Sequence, residues 1–267
     1  HDSTETIEGL AAFRGSKYVQ SRIGRSFARA EEFLKQGRQV LFTGTPCQIA
    51  GLNRFLRRSY DNLLTVDVVC HGVPSPLVWR RYLDEIGGGI SHISMRDKST
   101  GWADYSIRID ANERNAICEP AARNVYMRGF LADLYLRPIC HVCPAKSGRS
   151  GSALTLGDFW GIADCAPEIA DDKGITLLMV NTPRSASFVE AAPLDLHLRT
   201  YAQAIARNPA IRASARRPKQ RPLFWKEAGP AGDIAAPIER TLDAMRPSRV
   251  ERVFLSLRYR IGKIMHR

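Results

Sequence analysis

The chain has 267 residues, enough for a full hydrophobic core as one large domain or two small ones. Its 44% hydrophobic and 25% charged residues are those of an ordinary globular protein, and no apolar run approaches the ~20 residues needed to span a bilayer. The net charge of +12 is uneven: residues 199–267 hold 16 Lys and Arg against 5 Asp and Glu, whereas residues 1–198 hold 23 against 22. That excess speaks about an anionic partner, not about the fold.

The sequence opens on His1, not Met, which leads us to expect a piece of a longer chain, and no secretory leader is visible. Six cysteines, at 47, 70, 118, 140, 143 and 165, are too sparse for the disulfide framework of a small secreted domain. The expectation is a cytoplasmic protein with reduced thiols available to a metal.

In chain order, helical spacing predicts a first helix over roughly 23–36, ended by Gly37. The Gly-Ser-Lys turn before it, with Lys17, can hold a phosphate through backbone N–H groups and the ammonium, but it lacks the Walker spacing. A buried strand over 39–43 leads through Gly44, Thr45 and Pro46 to Cys47 and a helix over 48–57. A second strand, 63–70, ends on Cys70 and is followed by a helix over 77–86. Strand, helix, strand, helix is the grammar of a parallel βαβ unit, and it sends Cys47 and Cys70 to one sheet edge.

Gly87-Gly-Gly89 interrupts this pattern, and alternating residues over 90–117 predict an antiparallel β insertion. Cys118 reads as a structural or surface thiol. A helix is predicted over 124–136, terminated by Pro138, ahead of Cys140-His-Val-Cys143. A short strand over 154–156 runs into Gly157-Asp158-Phe159-Trp160-Gly161, where the aromatic pair reads as core or edge packing. An apolar strand over 175–180, a helix over 185–192 and a strand over 194–198 complete the body.

From about Ala202, prolines 209, 218, 222, 230 and 237 cut the chain into short helical pieces, which read as an arm. Residues 249–267 place Val250, Val253, Phe254, Leu257, Ile261, Ile264 and Met265 along one helical stripe with Arg and Lys elsewhere. Such a helix can lie peripherally on an anionic membrane, here the inner face, or dock on a protein. The predicted class is α/β: a mixed, partly parallel sheet with flanking helices, an antiparallel β insertion and a C-terminal helical arm, divided into 1–198 and 199–267.

Cys47, Cys70, Cys140 and Cys143 form a set of four. Four thiolates suit zinc or a 4Fe-4S cluster, and the lone Cys-x-x-Cys also suits a thiol–disulfide pair. Two features lean towards iron. Structural zinc sites usually pair two closely spaced knuckles, and only one is present; and Cys47 sits at a helix start, where backbone N–H groups can bond cluster sulfides.

Several motifs then recur in a recognisable order: Arg14-Gly-Ser-Lys-Tyr-Val-Gln-Ser21, Thr43-Gly-Thr-Pro-Cys-Gln-Ile-Ala-Gly-Leu52, Val69-Cys-His-Gly-Val-Pro-Ser-Pro76, Cys140-x-x-Cys-Pro144, Leu156-Gly-Asp-Phe-Trp-Gly161 and Asp172-Lys-Gly174. With these the chain resembles the C-terminal domain of the coenzyme F420 hydrogenase/dehydrogenase beta-subunit family, and in particular bacterial relatives encoded among polysaccharide-biosynthesis enzymes. The resemblance implies an iron–sulfur flavoprotein oxidoreductase. Electrons from a ferredoxin, or from an upstream ferredoxin domain, would pass through a 4Fe-4S cluster to FAD and on to coenzyme F420 or another small organic acceptor.

Carried over by position, the resemblance makes Cys47, Cys70, Cys140 and Cys143 the cluster ligands. It makes Lys17, Thr43, Gly44, Thr45, Gln48 and Asp158 candidates for the flavin or acceptor, and His71 a proton donor or a tuner of the cluster. The chain departs from the family pattern near Ala153, where an acidic residue is expected, and near Ser185, where a glycine is expected. The ferredoxin domain that often precedes the family's motifs is not within these residues.

Two other classes compete with this reading. One is a non-catalytic electron-transfer or partner subunit with a cluster and no flavin. The other is a zinc-stabilised binding protein with its basic tail on nucleic acid, which the lack of interleaved aromatics and of a recognisable binding module disfavours.

Overall fold

A computed structural model describes residues 1–111 and 116–246; the amphipathic stretch 249–267 lies outside the described residues. Helix α1 (Ser26–Lys35) leads into strand β1 (Val40–Gly44), helix α2 (Pro46–Leu56), strand β2 (Leu63–Val68) and helix α3 (Pro76–Ile86). Three short strands follow, β3 (His92–Asp97), β4 (Ser106–Asp110) and β5 (Ile117–Pro120), then helix α4 (Val125–Leu131) and strand β6 (Leu154–Asp158). After the short α5 (Ile162–Cys165) come β7 (Thr176–Val180), α6 (Pro183–Glu190), α7 (Tyr201–Ala206), α8 (Arg221–Ala228) and α9 (Ala235–Met245).

The main sheet runs β1-β2-β6-β7: β1, β2 and β6 are mutually parallel and β7 is antiparallel at the edge. Strands β3–β5 form the separate antiparallel sheet that the alternating pattern predicts. On one face of the main sheet, Ala30 and Leu34 of α1 and Ile49, Leu52 and Leu56 of α2 bury Phe42, while Phe159, Ile162 and Ala204 bury Leu177. On the other face Val189 of α6 packs on Val66 and Leu154. Leu41, Val68, Leu156 and Val180 of that face stay exposed. A parallel sheet is usually covered on both faces; among the described residues this one is covered on one and a half.

The largest core lies between α3, the β3–β5 sheet, α4, and α8–α9, with Val78, Tyr82, Ile107, Tyr126, Tyr135, Phe224 and Ile238 all at or near zero exposure. The Pro-interrupted stretch after residue 199 thus contributes directly to the interior. Arg81 on α3 fastens it: the guanidinium donates to the carbonyls of Ala228, Gly229, Gly232 and Asp233 at 2.7–3.3 Å. Among the described residues no helix is long and apolar enough to cross a membrane.

Three predicted elements differ. The helix expected to reach residue 136 stops at Leu131, well before Pro138. Asp133 takes a left-handed conformation (φ 62°), and the Leu134 and Asp133 N–H groups bond the Gly129 and Phe130 carbonyls at 3.1 and 3.0 Å. That pair of bonds is a Schellman close, normally marked by glycine. Strand β2 ends at Val68, two residues before Cys70. The strand expected over 194–198 has no strand assignment, with Leu194, Leu196 and Leu198 exposed; its apolar alternation finds no neighbouring strand to hydrogen-bond among the described residues.

Replacing Arg81 by Met should lower stability by roughly 3 kcal/mol, because several buried carbonyls lose a charged donor. Urea unfolding would show the drop, and limited proteolysis should cut first near residues 228–233. An unchanged midpoint would mean that the carbonyl contacts hold nothing.

Candidate metal centre

Val40 lies opposite Leu63 and Gly44 opposite Asp67, so β1 and β2 finish together at one sheet edge. Beyond β1 the chain turns into α2 through a capping box: Gln48 Oε1 accepts from the Thr45 N–H at 2.9 Å and from its hydroxyl at 3.1 Å. Pro46 fills the first helical position, where its missing N–H costs nothing. This places Cys47 in the first turn, with Thr45 Oγ1 at 3.2 Å and the donor Gln20 Nε2 at 3.6 Å from its Sγ.

Beyond β2, Cys70 is half-buried. The buried Lys146 ammonium donates to its carbonyl and, at 2.7 Å, to that of Ala210. His71 turns the other way: its Nε2 lies 2.5 Å from Asp133 Oδ1, and its ring meets Phe130 edge-on. The left-handed turn that closes α4 is what presents that carboxylate.

A second chain crossing brings in the remaining thiols. Pro74 and Leu136 form an isolated antiparallel bridge, and the Arg137 N–H donates to the Val73 carbonyl at 2.9 Å. The next turn, a 3-10 helix over Pro138–Val142, carries Cys140, whose Sγ accepts from the Val73 N–H at 3.5 Å. A Cβ at Gly72 would lie 2.8 Å from Leu136 Cδ1 and 3.4 Å from Cys140 Cβ, so the close approach needs glycine. Cys143 is held by Ser214, whose Oγ accepts from its N–H at 2.9 Å.

Burial pushes the Cys70 thiol up to about 11; Lys146 pulls it down, and Cys140, Cys47 and Cys143 each push it further up. Cys140 is likewise raised, chiefly by burial, with the Val73 N–H opposing and the charges of Cys143 and Cys47 adding. Four thiols from three separated segments therefore lie within reach of one another's charge. Among the described residues, no group of three or more His, Cys, Asp or Glu side chains is arranged to hold a metal ion. Cys118 stands exposed on β5, and Cys165 donates back to the Ile162 carbonyl at 3.6 Å; neither is among the groups that act on Cys70.

The other predicted residues fall into three places. Thr43, Gly44, Thr45 and Gln48 line the β1–α2 turn, where several polar groups are engaged: Gln48 Nε2 donates to Ser21 and the Thr43 carbonyl bonds His1. Lys17 donates to the Arg14 carbonyl of its own loop at 2.6 Å. Asp158, at the end of β6, pairs with Arg96 at 3.4 Å, and Arg96 sits under Tyr105, Trp102 and Trp160. Phe159 is buried, and Trp160 stacks on Trp102 with centroids 4.4 Å apart, so both are packing residues. Residues 17–21 tie the places together: Tyr18 packs on Phe130 and bonds Met95 Sδ, Gln20 reaches Cys47, and Ser21 receives Gln48.

Lys146, Gln20, Ser214 and Asp133 are the site neighbours that spacing alone does not expose. Lys146 is visible in the sequence only as one of two cations following the Cys-x-x-Cys. The two departures noted near Ala153 and Ser185 touch each other: Ser185, fully buried, donates its hydroxyl to the Ala153 carbonyl at 2.7 Å.

Compared with known families, residues 37–203 match the one that describes the C-terminal part of the beta subunit of coenzyme F420 hydrogenase/dehydrogenase. No curated protein matches the chain.

Gly72→Ala should cost roughly 1–3 kcal/mol in thermal or urea unfolding, because a methyl group has no room beside the buried Leu136. Part of that cost should be recovered in a Leu136→Ala background, the signature of a direct steric conflict.

Proposed function

The chain belongs to the coenzyme F420 hydrogenase/dehydrogenase beta-subunit family, and from that membership we propose that it is an iron–sulfur oxidoreductase module whose Cys47, Cys70, Cys140 and Cys143 hold one 4Fe-4S centre. The observation that carries this reading is the meeting of four thiols from three segments, close enough for the others to act on Cys70 and for Cys47 and Cys143 to act on Cys140. An all-cysteine donor set suits zinc as well as a four-iron cluster; the family membership and the single Cys-x-x-Cys favour iron.

When bound, such a centre takes up and releases electrons one at a time. The protein's own groups supply its surroundings. The Val73 N–H on Cys140 and the Gln20 amide on Cys47 donate towards the sulfurs and would offset thiolate charge. Asp133 fixes the His71 proton on Nε2, which leaves Nδ1 as the atom able to take or give a proton at the acceptor side.

In its fullest form the reading has a ferredoxin-type donor, FAD as the next carrier, and coenzyme F420 or another small organic acceptor. The cations of residues 199–267 then suit an acidic redox partner or the anionic inner face of a membrane. A second reading, a cluster-bearing partner subunit without flavin, is favoured by one specific finding: Lys17, Thr45 and Gln48 spend their polar groups inside the protein.

Anaerobically reconstituted protein should hold about four irons per chain and absorb broadly near ~400 nm. Serine at 47, 70, 140 or 143 should each abolish the chromophore, while Cys118→Ser and Cys165→Ser should keep it. A colourless, zinc-loaded protein would sink the redox reading. Flavin retained after gel filtration with FAD would select the full oxidoreductase, and its absence the partner subunit.

A further inference from the structure

Lys146 is among the most buried charged side chains described, at 5% exposure. Its ammonium donates two hydrogen bonds, to the carbonyls of Cys70 and Ala210. The third N–H has no protein acceptor, and no carboxylate lies within ion-pair distance, among the described residues. A cation taken out of water needs a compensating anion or it destabilises the fold. Arg137, one further cation acting on this thiol cluster, is exposed and so screened by solvent, and Arg221, near Cys140, directs its guanidinium to the Leu134 carbonyl. Lys146 is not screened.

The anion that answers it is at hand. Lys146 follows Cys143 by three residues and holds the backbone of Cys70, so its charge sits between two of the three segments that deliver thiols. Four thiolates around a four-iron centre make a net anion, and each electron that enters adds one more negative charge.

We propose that Lys146 is the fixed counter-charge of the centre held by the four cysteines: a positioning residue that ties Cys70 to the 209–211 turn and raises the centre's reduction potential by favouring its more negative state. This rests on the iron–sulfur reading above. The ammonium neither binds the metal nor transfers a proton; it acts through charge and through the carbonyl it grips.

The test uses the full chain, iron-loaded and apo, as wild type, Lys146→Met and Lys146→Arg. Methionine keeps the length and loses the charge; arginine keeps the charge. In a spectroelectrochemical titration of the loaded forms, Lys146→Met should lower the reduced-to-oxidised ratio at fixed potential about tenfold, a downward midpoint shift of about 59 mV for one electron. Lys146→Arg should stay near wild type.

In urea unfolding Lys146→Met loses its two carbonyl bonds in both states, and the loss should be larger in the loaded protein, where an anion answers the charge. A purely structural tie predicts the same loss in both states and an unmoved midpoint, and either result overturns the inference. Should Lys146→Met hold no iron, Lys146→Gln, which keeps a donor and loses the charge, takes its place in both measurements. Wild type that takes up no iron overturns the iron–sulfur reading and this inference together; iron bound with an unmoved midpoint overturns only this one.

Discussion

The in-register parallel pairing of β1 with β2 governs everything that happens at the cysteine edge. Because both strands point the same way and stop at the same level, the residues that follow them are neighbours although a helix intervenes. Each continuation is then fixed by a different device: a capping box after β1, and after β2 a glycine that lets Leu136 and Cys140 come close. A slip of one residue in the pairing would turn Phe42 out of its core and carry Cys47 away from Cys70.

A second regularity concerns buried cations, which here address backbone carbonyls more than carboxylates. Arg81 holds the 228–233 segment, Arg221 donates to the Leu134 carbonyl at 2.7 Å, and Lys146 grips Cys70 and Ala210. Each of the three cations makes a bond that joins the residues after 199 to the body. The stretch that prolines break into pieces is therefore bound along its length, and Ser214 carries it up to Cys143. The thiol neighbourhood is built from both ends of the chain at once.

Much of this was legible from residue patterns, for identifiable reasons. The βαβ grammar from Val40 to Ile86 rests on long apolar runs punctuated by Gly, Pro and Thr, and those signals have one physical meaning each. The antiparallel insertion is readable because Ile107 and Ile109 alternate with polar neighbours and both end up buried. What stayed hidden depends on tertiary context. Asp133 takes a conformation that sequence assigns to glycine, stabilised by its bonds into α4 and by His71. Leu194, Leu196 and Leu198 alternate like a strand, but among the described residues no strand pairs with them. The half-open face of the main sheet was equally unreadable, since Leu41, Val68, Leu156 and Val180 are as apolar as Val66 and Leu154 of the same face, and only the placement of α6 decides which are covered. Nothing in the sequence marks Lys146 as a buried cation, because burial is not a property of a residue letter.

The thiols at 47, 70, 140 and 143 are separated by stretches of very different length, and a centre shared by all four would close those stretches into loops. Such a centre would act as a clasp as well as a conduit: it would remove from the unfolded ensemble the freedom of nearly a hundred residues, much as a covalent cross-link does. Its loss to air should therefore be felt beyond the colour of the solution, as a loosening of the strap 17–21, the Cys140 turn and the segment bound to Lys146. Redox competence and structural integrity would then fail together, as one event.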